Sequence, residues 1–160
     1  MAPQPRKDDQ NDHPADSRSA AYEVHLTQAA ETVYRRYFHL AQKATERGDL
    51  TNAHCTTLRQ IDEALETLIP HDPLNPALAL AGDLRHIYRM KKGRMRICWI
   101  ASAAERLVYV LFISETLRKD GDANDPYKIL SAMVRNGTCN QFFKELGIPL
   151  PPIAPSYLIQ

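Results

Sequence analysis

No apolar run in this 160-residue chain approaches the ~20 residues that carry a helix across a bilayer. The first twenty residues lack an apolar core of the secretory kind, so no export signal is expected and a cytoplasmic location is. Cysteine is scarce. Cys55, Cys98 and Cys139 are odd in number and lie about forty residues apart, which is neither a disulfide framework nor a metal-ligand spacing. They read as reduced thiols packed as small apolar residues. HExxH, the phosphate-binding P-loop, GxSxG and any Cys/His cluster are all missing. His25 and His86 fall on expected strands, and His39 and His54 on expected helices. Isolated histidines in such places read as core or surface residues. Metal-dependent chemistry is disfavoured, and no metal and no cofactor are expected.

Net charge is also low, at +1. Against that neutrality one stretch stands out. Residues 85–96 hold six Lys and Arg in twelve residues and no acid. The run has the pattern of a β-hairpin turning at Gly93. A hairpin that concentrates cations suits binding to phosphates.

The chain reads as one domain with tails. Residues 1–20, polar and proline-bearing, are expected to form a disordered leader. Residues 22–26 alternate apolar and polar, the mark of a strand. Thr27 can cap the amphipathic helix that follows to about residue 47, and Gly48 can end it. A second helix is expected over 51–69, stopped by Pro70, Pro73 and Pro76. Strands are predicted over 84–91, 94–102 and 107–114. The last is apolar on both parities, as a strand covered on both faces would be. Asp125 can cap a helix from Pro126 to about residue 135. A short apolar segment near Phe142 and Phe143 leads into a proline-rich tail. The expected fold is α+β: β-α-α-β-β-β-α, a largely antiparallel sheet with helices, the two N-terminal ones included, on one side. The domain boundaries are 1–20, 21–137 and 138–160, the last a C-terminal extension.

Strand parity sorts the cations. Arg85, Ile87, Arg89 and Lys91 share one face of the first hairpin strand, and Arg94, Arg96, Cys98 and Ile100 share one face of the second. With the other parity on the helices, these cations form an open face. Arginine suits bidentate contact with phosphate, and lysine supplies a compact charge. The plain alternative is an edge hairpin charged against aggregation, but that predicts mixed signs. Beyond the last strand, Ser114-Glu115-Thr116-Leu117-Arg118-Lys119 forms a loop on a rigid scaffold. Arg118 could reach the cationic face, and Tyr127 could supply a phenol. Equally, Glu115 and Arg118 could pair with each other, and Tyr127 could be half-buried core.

At these residues the chain resembles the RelE/ParE superfamily of toxins, and within it the YhaV-type toxins, whose usual antitoxin is of the PrlF type. The resemblance rests on Lys-Gly-Arg-Met-Arg-Ile at 92–97, Thr-Leu-Arg at 116–118, Gly121, and Asp-x-Tyr at 125–127, in that order. It spans roughly residues 22–135. It implies a toxin of a type II toxin–antitoxin system that cleaves messenger RNA without a metal, often on the ribosome, and is restrained by a PrlF-like partner. By position it makes Arg94, Arg96, Arg118 and Tyr127 the catalytic set, with Lys91 and Lys92 matching hairpin cations loosely. Arg85, Arg89, Lys91, Lys92 and Lys119 form the expected RNA-binding set.

The chemistry suits such residues. Metal-free RNA cleavage uses the ribose 2′-OH as nucleophile and needs a base, an acid and positive charge on the phosphorane. Arginines supply the charge. A lysine crowded by cations is driven toward its neutral form, so Lys91 or Lys92 is a candidate base or acid, beside Tyr127 and Glu115. Two other readings stay open: a ParE-like toxin that inhibits DNA gyrase by binding, and a non-catalytic RNA-binding module.

Overall fold

The computed structural model describes residues 21–93, 95–114 and 125–150. Its frame is a four-stranded sheet in the order β1-β4-β3-β2, with β1 at Glu23–Leu26, β2 at Tyr88–Lys92, β3 at Met95–Ser102 and β4 at Leu107–Ser114. Neighbours β2/β3 and β3/β4 are antiparallel, as short turns dictate. β1 runs parallel to β4 on the far edge, and a long helical connection carries the chain from β1 across to β2 on the other edge.

That connection begins at Thr27, which is buried and serves two partners. Its hydroxyl accepts the Ala30 N–H, capping α1 (Gln28–Glu46), and donates to the Leu111 carbonyl of β4. α2 (Ala53–Glu63) is capped by the Asn52 side chain. It runs on through a π-turn over Ala64–Leu68 into the short α3 (Ile69–His71), so helical structure passes Pro70. In the widened turn the Ile69 N–H reaches back to the Ala64 carbonyl. The proline follows where an ordinary helical turn would clash with it.

Ala30, Ile61, Ala64 and Ile69 from these helices pack on Met95, Ile97, Trp99, Val108, Val110 and Ile113 of the sheet. Trp99 is fully buried, and its indole N–H donates to the Pro73 carbonyl at 2.8 Å. Burying such a side chain is worth ~3 kcal/mol, and the paired N–H avoids a desolvation cost.

The opposite face is not open. α4 (Pro126–Arg135) and α5 (Asn140–Glu145) lay Leu130, Val134, Phe143 and Leu146 on Cys98, Ile100 and Leu111. The two N-terminal helices pack on one face as expected, but the expectation that the other face is open is corrected. The same parity that carries Arg96 carries Cys98 and Ile100 further from the turn, and those need cover. Residues from 138 onward contribute Cys139, Phe143 and Leu146 to this second core. β4 serves both cores through a bulge. Cys98 pairs with Phe112 but Trp99 with Val110, so Leu111 has no partner in the register. Leu111 and Phe112 both join the second cluster.

The strand predicted over 84–91 starts late. Residues Gly82–Leu84 form a 3₁₀ turn, and His86 sits at φ +74°. That left-handed residue breaks the extended run, so pairing begins only at Tyr88.

Candidate active site

The hairpin register sets the cations. Lys91 lies opposite Arg96, and Arg89 opposite Cys98. Arg96 is also paired with Ser114, the last residue of β4. Arg89, Lys91 and Arg96 therefore share one sheet face near the hairpin turn, as the parity argument expected. Two like charges directly opposite each other cost ~0.2–1 kcal/mol relative to a neutral pair. Among the described residues neither forms an ion pair with a carboxylate. The half-buried Arg96 instead donates from Nη1 to the carbonyls of Gly93 at 3.3 Å and Met95 at 3.1 Å. The guanidinium is drawn toward the turn, where a turn glycine at φ +55° brings the strands together.

Tyr127 approaches from the other side. The buried Asp125 caps α4 by accepting the Tyr127 N–H at 3.0 Å, and Pro126 takes the first helical position. This sets the half-buried Tyr127 ring against the hairpin, with the Arg89 guanidinium carbon 5.5 Å from the ring centroid. Such a cation–π contact is worth ~0.5–2 kcal/mol, more as it is desolvated. Arg89 Nε is buried with no hydrogen-bond partner among the described residues. A buried donor left unmade costs ~1–3 kcal/mol.

Cys98 lies beneath these cations. Burial pushes its thiol up to about 12, against the pull of Arg89 and Arg96 in the other direction. Desolvation of the thiolate wins, so the group is protonated and unreactive at neutral pH.

The structure does not gather every predicted residue. Lys92 has the opposite parity and reaches Glu63 on α2, 3.7 Å away. It faces the two N-terminal helices, away from Arg96. Arg85 is exposed, but it follows the 3₁₀ turn and lies outside the strand that was to align it with Arg89. Arg94, Glu115, Arg118 and Lys119 lie outside the described residues. What sequence reasoning missed is the direct contact of Arg89 with Tyr127. The two are 38 positions apart, and no local pattern signals a cation over a ring. Asp-x-Tyr was legible as a helix start, but not the surface against which that helix packs. Among the described residues no three His, Cys, Asp or Glu side chains cluster as a metal site would require.

The site is a cationic sheet face with a phenol at its margin, able to hold a phosphodiester and stabilise added negative charge on it. Residues 14–147 match the family model Toxin_YhaV, described as a toxin with endonuclease activity, of a toxin–antitoxin system. No curated protein sequence is significantly similar to the chain. Several solved structures are distantly similar. The toxin–antitoxin complex RelBE2 from Mycobacterium tuberculosis shares 14% identity at a TM-score of 0.46, over 63% of this chain and 97% of that one. The intact RelBE toxin–antitoxin complex of E. coli shares 17% at a TM-score of 0.42, over 61% and 100%. The isolated E. coli RelE toxin shares 16% at a TM-score of 0.46, over 72% and 98%. The family match, which takes in both cores and the cationic hairpin, decides the assignment. The chain belongs to the YhaV toxin family, toxins with endonuclease activity that work as one half of a toxin–antitoxin system.

Proposed function

We propose that the endonuclease acts on RNA, messenger RNA above all, without a metal ion. The observation that carries this reading is the shared face of Arg89, Lys91 and Arg96 with Tyr127 beside it. In the proposed reaction the ribose 2′-oxygen attacks the adjacent phosphorus, and its proton passes to a base. The bond to the 5′-oxygen breaks as that oxygen takes a proton from an acid. A 2′,3′-cyclic phosphate and a 5′-hydroxyl result. Between these steps the phosphorane carries extra negative charge, which fixed cations stabilise by far more than they do the ground state. Arg96 and Lys91 are proposed for that role, with Arg94 and Arg118 as further cations. Tyr127 and Lys91 are the candidates for proton transfer. The partner is proposed to be a PrlF-like antitoxin, acidic where it meets the hairpin. The place of action is the cytoplasm, on ribosome-bound message.

End mapping of RNA cut by the purified toxin, with and without ribosomes, tests the proposal. Products should end in 2′,3′-cyclic or 3′-phosphate, persist in EDTA, and vanish when the 2′-OH at the cut site is replaced by hydrogen. Arg96→Ala should lower the rate by about 10²-fold, the usual loss for one group that stabilises transition-state charge. Intact RNA from a folded wild-type protein, with DNA damage on expression, would instead favour gyrase inhibition.

A further inference from the structure

We infer that Arg89 is a positioning residue, a clamp that fixes the Tyr127 ring at the edge of the cationic face, and not a direct phosphate contact. The inference rests on the ribonuclease reading and assigns the division of labour within that site.

Arg89 differs from its neighbours. Lys91 is exposed, and Arg96 spends one nitrogen on the turn carbonyls. Arg89 instead has its Nε sealed from solvent with no acceptor among the described residues, and its guanidinium lies over Tyr127. A nitrogen sealed in this way cannot take part in the side-on Nε/Nη fork to a phosphate, and the Nη pair belongs to a guanidinium that lies over the ring. What the side chain does reach is the ring. The backbone fixes both ends of that contact: Arg89 by its pairing with Cys98 in the sheet, Tyr127 by the Asp125 cap. The contact therefore joins β2 to the first turn of α4, between which no backbone hydrogen bond runs among the described residues. A phenol held by a cation and two rigid elements has few rotamers left, and proton transfer depends on such placement.

A double-mutant cycle on the full-length toxin, read as kcat and KM on a short RNA, distinguishes a clamp from an independent contact. Arg89→Met should lower kcat by about tenfold with KM nearly unchanged, because the loss is in orientation and not in ground-state binding. Arg89→Lys, which keeps a cation near the ring, should restore most of the rate. In a Tyr127→Ala background Arg89→Met should change almost nothing. Additive effects, or a loss confined to KM, would overturn the clamp and make Arg89 a phosphate contact. A readout without substrate separates the inference from the ribonuclease reading. With ring-labelled tyrosine, the NMR signals of Tyr127 should shift in Arg89→Met and stay near wild type in Arg89→Lys. Unmoved signals in Arg89→Met overturn the clamp even if RNA is cut. A wild type that cuts no RNA overturns the ribonuclease reading even if the signals move.

Discussion

At the scale of single residues, neighbours on one face have opposite fates according to how far they sit from water. Arg96 keeps its charge partly exposed beside the turn, while Cys98, two residues on, is sealed beneath it. Burial raises the Cys98 thiol to about 12, although two guanidinium groups pull it down. A thiol beside arginines is often activated; here the loss of hydration outweighs the attraction. Cys98 should therefore resist alkylation by iodoacetamide at pH 8 in the folded protein, while the half-buried Cys55 reacts, as peptide mass spectrometry would read. Cys98→Ala should retain RNA cleavage within about twofold and lower stability by ~1 kcal/mol, the order expected for a small core truncation.

Elements meet the site through their ends. α4 brings Tyr127 to the hairpin because its first turn is fixed twice, by a proline that presets the backbone and by the Asp125 carboxylate on the Tyr127 N–H. Asp125→Ala should destabilise the fold by ~1 kcal/mol, the usual worth of an N-cap, and should lower cleavage as well. Asp125→Asn, which can still accept that hydrogen bond, should preserve more of both. Denaturant midpoints alongside cleavage rates would separate the two variants. The hairpin is fixed on its other side by Lys92 against Glu63, and by Gly93, where an added Cβ would stand 3.1 Å from the Gln60 side chain. The element that presents the cations is thus backed by α2. Such support keeps like charges close when they would otherwise spread apart.

For the whole molecule, the sheet divides two cores, and weakly acidic groups packed along them share one response to pH. Burial raises Cys98 to about 12 and Cys139 to about 11, each from an ordinary 9.0. Tyr34, half-buried and bonded to Asp62, is raised from 10.0 to about 12, with desolvation the larger cause. Each folded-state value lies above its unfolded one. Below about pH 9 both states hold these protons and stability is unaffected. As pH rises toward 11 and 12 the unfolded chain ionises first and is favoured. The melting temperature should therefore fall across pH 9 to 12. Cys98→Ala should make that decline shallower, as a calorimetric pH series would show; an unchanged slope would contradict the buried thiol.

Much of this was written locally. Alternation marked β1, the hairpin pattern marked β3, a run apolar on both parities marked β4, helical periodicity marked α1 and α2, and Thr27 and Asp125 were readable as caps because a cap depends on its own side chain and the next turn. Parity placed Arg89, Lys91 and Arg96 together, since a strand's side chains alternate whatever covers them. The late start of β2 was not legible: it follows from the left-handed backbone at His86, which histidine adopts more often than most residues but still only rarely. Nor was the second layer of helices. Cys98 and Ile100 share a parity with arginines, so the pattern alone could not say that this face is cationic near the turn and apolar further along. The charged hairpin, the order of elements and the family resemblance were therefore determined by the sequence itself. The cover over half of that face, the turning of Lys92 toward Glu63 and the contact of Arg89 with Tyr127 were decided only by tertiary structure. They depend on which surfaces, distant in the chain, must exclude water together.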